Sequence, residues 1–266
     1  MPGPRSLSGL RVLVTGASSG IGAAVCTLLA ARGARVVGTG RSPSALALAP
    51  AGALEAAVVR DLTEPGAAAE VVSAAVSALG GLDVVVSCAG AGWSGPFEKM
   101  SPAEIDTVLD INLRAPVHLA NAAAPYLLSS EAGGQLVLIG SIVGLVGVAE
   151  EVAYGAAKYG LRGLADGLRS EWARDAVTRR VTVTLVSPGV VDTPFFTHRN
   201  REYQRSWPKP MPVARVALLT VGSIENRRED VVVPSWLLLA GRLNGGMPRL
   251  YRLLARIPVV GSDPGP

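Results

Sequence analysis

Cysteine, aromatic side chains and charge are all scarce in this chain, and each scarcity removes a class of protein. The two cysteines, Cys26 and Cys88, stand far apart in apolar surroundings. That excludes a disulfide scaffold and a thiolate metal centre, and no metal is expected. It points to a reducing compartment, where small buried thiols act as hydrophobes. Charged residues make up 17% of the sequence against 49% hydrophobic ones, which excludes disorder and supplies a large core. A net charge of +4, without a dense basic face or interleaved aromatics, excludes a nucleic-acid surface. Residues 1–8 hold one arginine and no apolar run, so no secretion signal is expected and the cytoplasm is the expected location. The uncharged stretch 132–149 contains five glycines with Gln135 and Ser141, so it reads as a buried strand entering a loop, not as a membrane span.

What is abundant is Ala, Val and Gly, which let helices pack closely on a parallel sheet whose strands are continuous apolar runs. Residues 11–15, 35–39, 55–60, 82–88, 135–140 and 180–187 read as strands. Residues 21–32, 64–79, 102–129 and 152–176 read as the helices between them. This alternation predicts the α/β class: a single doubly wound parallel sheet with helices on both faces and a helical carboxyl-terminal extension. No linker and no internal repeat divides the chain. After Pro188-Gly189 the pattern changes, and 195–212 mixes aromatics, charges and prolines. That segment is expected to cover a ligand, because such sheets bind ligands beyond the carboxyl ends of their strands. Residues 213–224 resume a helix and 231–233 a strand. Ser235 is placed to cap a last helical stretch toward Ile257, which Gly245, Gly246 and Pro248 break into two short helices.

The chemistry concentrates in a few places. Thr15-Gly16-Ala17-Ser18-Ser19-Gly20-Ile21-Gly22 lies between the first strand and the first helix. A dinucleotide pyrophosphate needs main chain close by and free amides at a helix amino terminus, and glycine permits both. Tyr154 and Lys158, spaced by four, share one face of the long helix before the sixth strand. A phenol titrates near pH 10 and is a poor acid–base group at neutrality. Lowering it by about three units takes roughly 4 kcal/mol, which a cation at about 4 Å supplies at an effective dielectric near 20. Ser141 ends the fifth strand, where its hydroxyl can donate to a substrate oxygen. Asn112 falls inside a helical pattern, where asparagine is unfavourable, so a buried amide there implies a specific partner.

Together these residues resemble the short-chain dehydrogenase/reductase family over residues 10–193. The resemblance implies a single Rossmann-fold domain, 1–266, with a cofactor-binding and catalytic core at 8–193 and a substrate-covering, helical part at 194–266. It implies the tetrad Asn112, Ser141, Tyr154 and Lys158, with Tyr154 moving the proton and Lys158 holding the nicotinamide ribose. It also implies cofactor contacts from Gly16, Ser18, Ser19, Gly20, Ile21 and Gly22, from Asp61 and Leu62 at adenine, and from Ala89 and Gly90. Pro188, Gly189, Val191 and Thr193 match the segment that closes over nicotinamide. Ser87-Cys88-Ala89-Gly90 departs from the family's usual Asn-Asn-Ala-Gly, which alters local hydrogen bonding and not catalysis.

The expected function is interconversion of a ketone and a secondary alcohol. The alternatives are an epimerase or dehydratase with the same Tyr-Lys chemistry, or a non-catalytic NADP-binding regulator. NADP(H) is expected over NAD(H), because Gly40 stands where NAD-specific relatives place a carboxylate, and Arg41 and Ser42 follow. Trp93, Val143, Leu145, Val146, Phe195, Phe196 and Trp207 are candidates to line an apolar substrate pocket. The Ala- and Leu-rich helices 102–129 and 152–176 predict a homodimer or homotetramer. Arg242, Arg249, Arg252 and Arg256, among apolar residues and no acidic ones, mark the carboxyl end as a surface for peripheral membrane contact.

Overall fold

Each central strand carries a run of apolar residues, and its alternate residues feed two different cores. The computed structural model describes residues 4–47, 49, 52–176, 178–199 and 208–254. The main strands are β1 (Arg11–Thr15), β2 (Arg35–Gly40), β3 (Ala56–Val59), β4 (Val84–Ser87), β5 (Gln135–Ile139) and β6 (Thr182–Pro188). A short pair, β7 (Val191–Asp192) with β8 (Met211–Pro212), precedes β9 (Asp230–Val233). The main sheet is parallel throughout, in the order β3-β2-β1-β4-β5-β6-β9. Val12, Val14, Val84, Val86, Val137 and Ile139 point to one face, under α1 (Gly20–Ala31) and α8 (Val213–Glu225). Leu13, Val85, Leu136 and Leu138 point to the other, under α3 (Ala67–Leu79), α5 (Ala115–Leu128) and α6 (Val152–Trp172). Each such fully buried Val or Leu stabilises the fold by roughly 1.5–3 kcal/mol.

The strand order reverses between β1 and β4, and a crevice opens there at their carboxyl ends. The hydroxyl of Thr15 ties the two ends together, accepting from the amides of Cys88 (3.0 Å) and Ala89 (3.1 Å). At the opposite ends Asp83 accepts from Arg11 Nε (2.9 Å) and Nη2 (2.7 Å) and from Ser130 (2.7 Å). Burial opposes the Asp83 carboxylate, but these donors outweigh it and hold the group down at about 2.

Several expected elements change at their ends or inside. The helix expected over 102–129 is not one α-helix: α4 (Pro102–Leu109) and α5 flank a π-helical turn, Asp110–Arg114. The third strand contracts to Ala56–Val59, and the sixth begins at Thr182 after a 3-10 turn, Thr178–Arg180. The long helix before it stops at Trp172. A one-turn helix, α2 (Pro43–Ala47), follows β2 and was not expected. The irregular segment contains α7 (Phe195–His198). The carboxyl end does form two short helices, α9 (Leu237–Gly246) and α10 (Pro248–Leu254). Trp236, not Ser235, takes the first cap position, and only the carbonyl of Ser235 is used, by the amide of Leu238. Trp207, Arg256 and Ile257 lie outside the described residues.

Candidate active site

The glycine turn is shaped by contacts that a side chain would block. Gly16 has φ +68°, and a Cβ on it would lie 2.9 Å from the main chain of Ala89. A Cβ on Gly22 would lie 2.2 Å from the carbonyl oxygen of Gly16, so α1 starts directly against the turn that precedes it. Ser18, Ser19, Gly20 and Ile21 complete the floor of a cleft of about 1720 Å³. That exceeds the roughly 300–1,000 Å³ taken by one small ligand and leaves room for a dinucleotide and a substrate together. At one end of this cleft lie Arg41, Ser42, Asp61 and Leu62. Arg41 is well exposed, with its guanidinium at the limit of ion-pair distance, 4.0 Å, from Asp61. Gly40 packs beside the Ser18 side chain, so β2 ends without a carboxylate there.

Tyr154 and Lys158 face the same cleft from the first turns of α6. The ammonium of Lys158 is buried, donates to the Ile139 carbonyl at 3.0 Å, and sits 5.5 Å from the centre of the Tyr154 ring. Burial lowers Lys158 to about 8. Burial also raises the Tyr154 phenol above its ordinary value; Glu151 adds to this, and a hydrogen bond with Ser141 opposes it. Ser141 follows β5 with its hydroxyl accepting from the amide of Val143 at 3.2 Å, which fixes the oxygen and leaves its proton to be donated.

Asn112 sits in the π turn, fully buried. Its amide nitrogen donates to the carbonyls of Ala91 (2.7 Å) and Val108 (2.9 Å), bridging the helix to the loop after β4. Its oxygen has no partner in the structure and lies 2.7 Å from where a Cβ on Gly90 would stand. An orphaned acceptor beside a glycine and the Lys158 ammonium fits a site that takes a polar guest. Ala89 and Gly90 on one side, and Pro188, Gly189, Val191 and Thr193 on the other, close the walls. All the catalytic and cofactor-binding residues expected from sequence thus line this cleft. The residues present fit a nicotinamide dinucleotide: main-chain amides at the turn, a cation beside Asp61, and hydroxyl and ammonium donors at the far end.

Of the expected substrate-pocket residues, Val143, Val146, Phe195 and Phe196 line the cleft. Trp93 and Leu145 do not: Trp93 donates to Glu104 at 2.9 Å, and the Leu145 carbonyl accepts from Asn244 at 3.0 Å. Sequence reasoning missed Glu151, Arg199, Leu237, Ala240 and Tyr251, all of which line it. No local motif announces them, since they come together only through the fold. Among the described residues no group of three or more His, Cys, Asp or Glu side chains is placed to hold a metal ion.

Residues 11–204 match the profile of the short chain dehydrogenase family. The 3-oxoacyl-(acyl-carrier-protein) reductase FabG of Vibrio cholerae is 32% identical over 213 residues, covering 79% of this chain and 85% of that protein. A hydroxysteroid 11-beta-dehydrogenase 1-like protein of Xenopus tropicalis is 32% identical over 240 residues, covering 87% of this chain and 81% of its own length. A crystal structure of a short chain dehydrogenase from Burkholderia cenocepacia in complex with NADP superposes with a TM-score of 0.75 at 30% identity, covering 86% of this chain and 97% of that one.

Proposed function

This chain belongs to the short-chain dehydrogenase/reductase family, a nicotinamide-dependent oxidoreductase acting on CH–OH and C=O groups, and we propose that it reduces an apolar ketone to a secondary alcohol with NADPH. The observation that carries this reading is the convergence of Tyr154, Ser141, Lys158 and the orphaned Asn112 oxygen at one end of a cleft that begins at the glycine turn. Bound there, the cofactor supplies the hydride, and the protein does the rest. Ser141 donates to the substrate oxygen and orients the carbonyl. Tyr154 delivers the proton to that oxygen; its raised titration keeps the phenol protonated at neutral pH, the state that reduction needs. Lys158, at about 8, is mostly charged at neutral pH and stabilises the phenolate left behind. The Asn112 oxygen accepts from a polar guest beside Lys158. Gly16 to Gly22 hold the pyrophosphate through main-chain amides, and Asp61, Leu62, Ala89 and Gly90 line the adenine side and the wall. Pro188, Gly189, Val191 and Thr193 cover the nicotinamide end.

The preference for NADP(H) follows from charge. No carboxylate stands at Gly40 to repel a 2′-phosphate, and the exposed Arg41 is held only loosely by Asp61. An apolar substrate follows from Val143, Val146, Phe195 and Phe196 around the reacting end. The helices α9 and α10 support contact with an anionic bilayer beside the mouth of the cleft. Leu239 is 73% exposed and Leu253 61%, and Arg242, Arg249 and Arg252 lie among them. No helix of the described residues is long and apolar enough to cross a membrane. Assembly into a dimer or tetramer is the reading for α5 and α6, which expose Val117, Val152 and Tyr159.

The test is oxidation of NADPH and of NADH with acetophenone and cyclohexanone, by the native protein and by Tyr154→Phe. NADPH should be preferred, and Arg41→Ala should erode that preference. Tyr154→Phe should stay folded and lose roughly 10²–10⁴-fold in turnover. Half-maximal activity in Tyr154→Phe would overturn the proton-transfer assignment.

A further inference from the structure

Two charged residues that this chemistry does not use lie buried in the wall of the same cleft. Glu151 ends the loop into α6, three residues before Tyr154, and Arg199 follows α7. Arg199 Nη1 donates to Glu151 Oε1 at 2.8 Å, with the side chains only 6% and 18% exposed. The guanidinium stacks on Phe196, 4.7 Å from its ring centre. Phe196 meets Phe195 edge-on at 5.4 Å, and Phe195 tilts against Tyr154 at 5.5 Å. Beneath Phe195 lies Gly92, where a Cβ would stand 2.6 Å from the ring. The chain thus runs without a gap from the ion pair through two aromatic rings to the phenol.

Burying an ion pair costs desolvation that an apolar pair of similar volume avoids, so packing alone does not account for charge at this place. We propose that Glu151 and Arg199 are positioning residues: their ion pair pins α7 so that Phe195 roofs the reacting centre, and it sets two opposed charges beside Tyr154. This rests on the reading of Tyr154 as the proton donor. The groups that face the phenol are Glu151 and Lys158 from its own helix, Arg199 from the end of α7, Ser141 from beyond β5 and Cys88 from beyond β4. Glu151 raises the phenol's titration and Arg199 lowers it. The intact pair holds the balance, and loss of either member tips it in a known direction.

The experiment is the pH profile of kcat and KM for NADPH-dependent reduction of acetophenone or cyclohexanone, whichever the native protein reduces faster. Arg199→Gln leaves the Glu151 anion unopposed and should move the profile to higher pH. Glu151→Gln leaves the cation and should move it to lower pH, each by about half a pH unit or more. The double variant should return toward the native profile while KM stays raised about five-fold or more, because α7 is no longer pinned. NADPH binding followed by fluorescence reports that each variant is folded. If a neutral variant does not fold, Arg199→Lys and Glu151→Asp carry the test: an unmoved profile with raised KM supports the proposal, and an unchanged KM overturns it. Profiles that stay put, or move the same way in both single variants, also overturn it. An active Tyr154→Phe sinks the reading of the centre itself; an inactive one with unmoved profiles sinks only the role of the pair.

Discussion

At the scale of the residue, the site is built as much by missing side chains as by present ones. Gly22→Ala would set a methyl 2.2 Å from the Gly16 carbonyl, a contact that only backbone movement relieves. It should abolish NADPH binding, read by fluorescence titration, and lower the melting temperature. Gly222→Ala is the contrast: Gly222 is a partly exposed residue inside α8 with nothing within 4 Å of its would-be Cβ. There alanine should stabilise by about 0.5–1 kcal/mol, because a mid-helix glycine loses more backbone entropy on folding. Equal effects at the two sites would show that the turn is not a tight contact. Tyr154 and Lys158 were legible in the sequence because a spacing of four on a helix fixes a shared face. The pair Glu151–Arg199 was not, because its partners are separated by 48 positions and meet only when α7 folds over α6.

At the scale of the element, Asp83 and Arg11 join the amino ends of β4 and β1, opposite the end where Thr15 joins their carboxyl ends. The Asp83 carboxyl is held at about 2, below the roughly 3.9 of an unfolded chain. Its folded-state value being the lower, its stabilising contribution is complete above about pH 4 and is lost as pH falls toward 2. The contribution is worth about 2 kcal/mol. Urea unfolding should therefore find Asp83→Asn less stable than the native protein at pH 7, with the gap narrowing steadily below pH 4. A gap that is constant with pH would exclude the ion pair as its source. The π turn at Asp110–Arg114 is the element that periodicity concealed. One extra residue in a helix shifts the apolar pattern too little to be read from sequence, yet that turn carries Asn112 into the core. The asparagine's poor fit to a helix was the only local sign of it.

At the scale of the whole molecule, the proposed assembly surface and the carboxyl-terminal helices adjoin, since Tyr159 of α6 accepts from Asn244 of α9 at 3.2 Å. Light scattering at micromolar concentration should give the mass of a dimer or tetramer through α5 and α6. Sedimentation with anionic vesicles should carry the protein down at low salt and release it at high salt, where screening weakens the arginines of α9 and α10. Protein that stays in the supernatant at low salt makes those helices part of the fold alone.

The sequence by itself determined the α/β class, the parallel sheet, the glycine turn and the shared helix face of Tyr154 and Lys158, because each rests on a short-range pattern: apolar runs in strands, glycines at a strand–helix junction, four-residue spacing on a helix. Only the tertiary structure decided which of the expected apolar side chains reach the cleft. Phe195 and Phe196 do, while Trp93 is turned to Glu104 and Leu145 is held through its carbonyl by Asn244. Burial, which raises the Tyr154 phenol above its ordinary value, likewise comes only with the closed fold. Desolvation and contacts across dozens of residues depend on how layers close over one another, and no local pattern in a sequence encodes that closure.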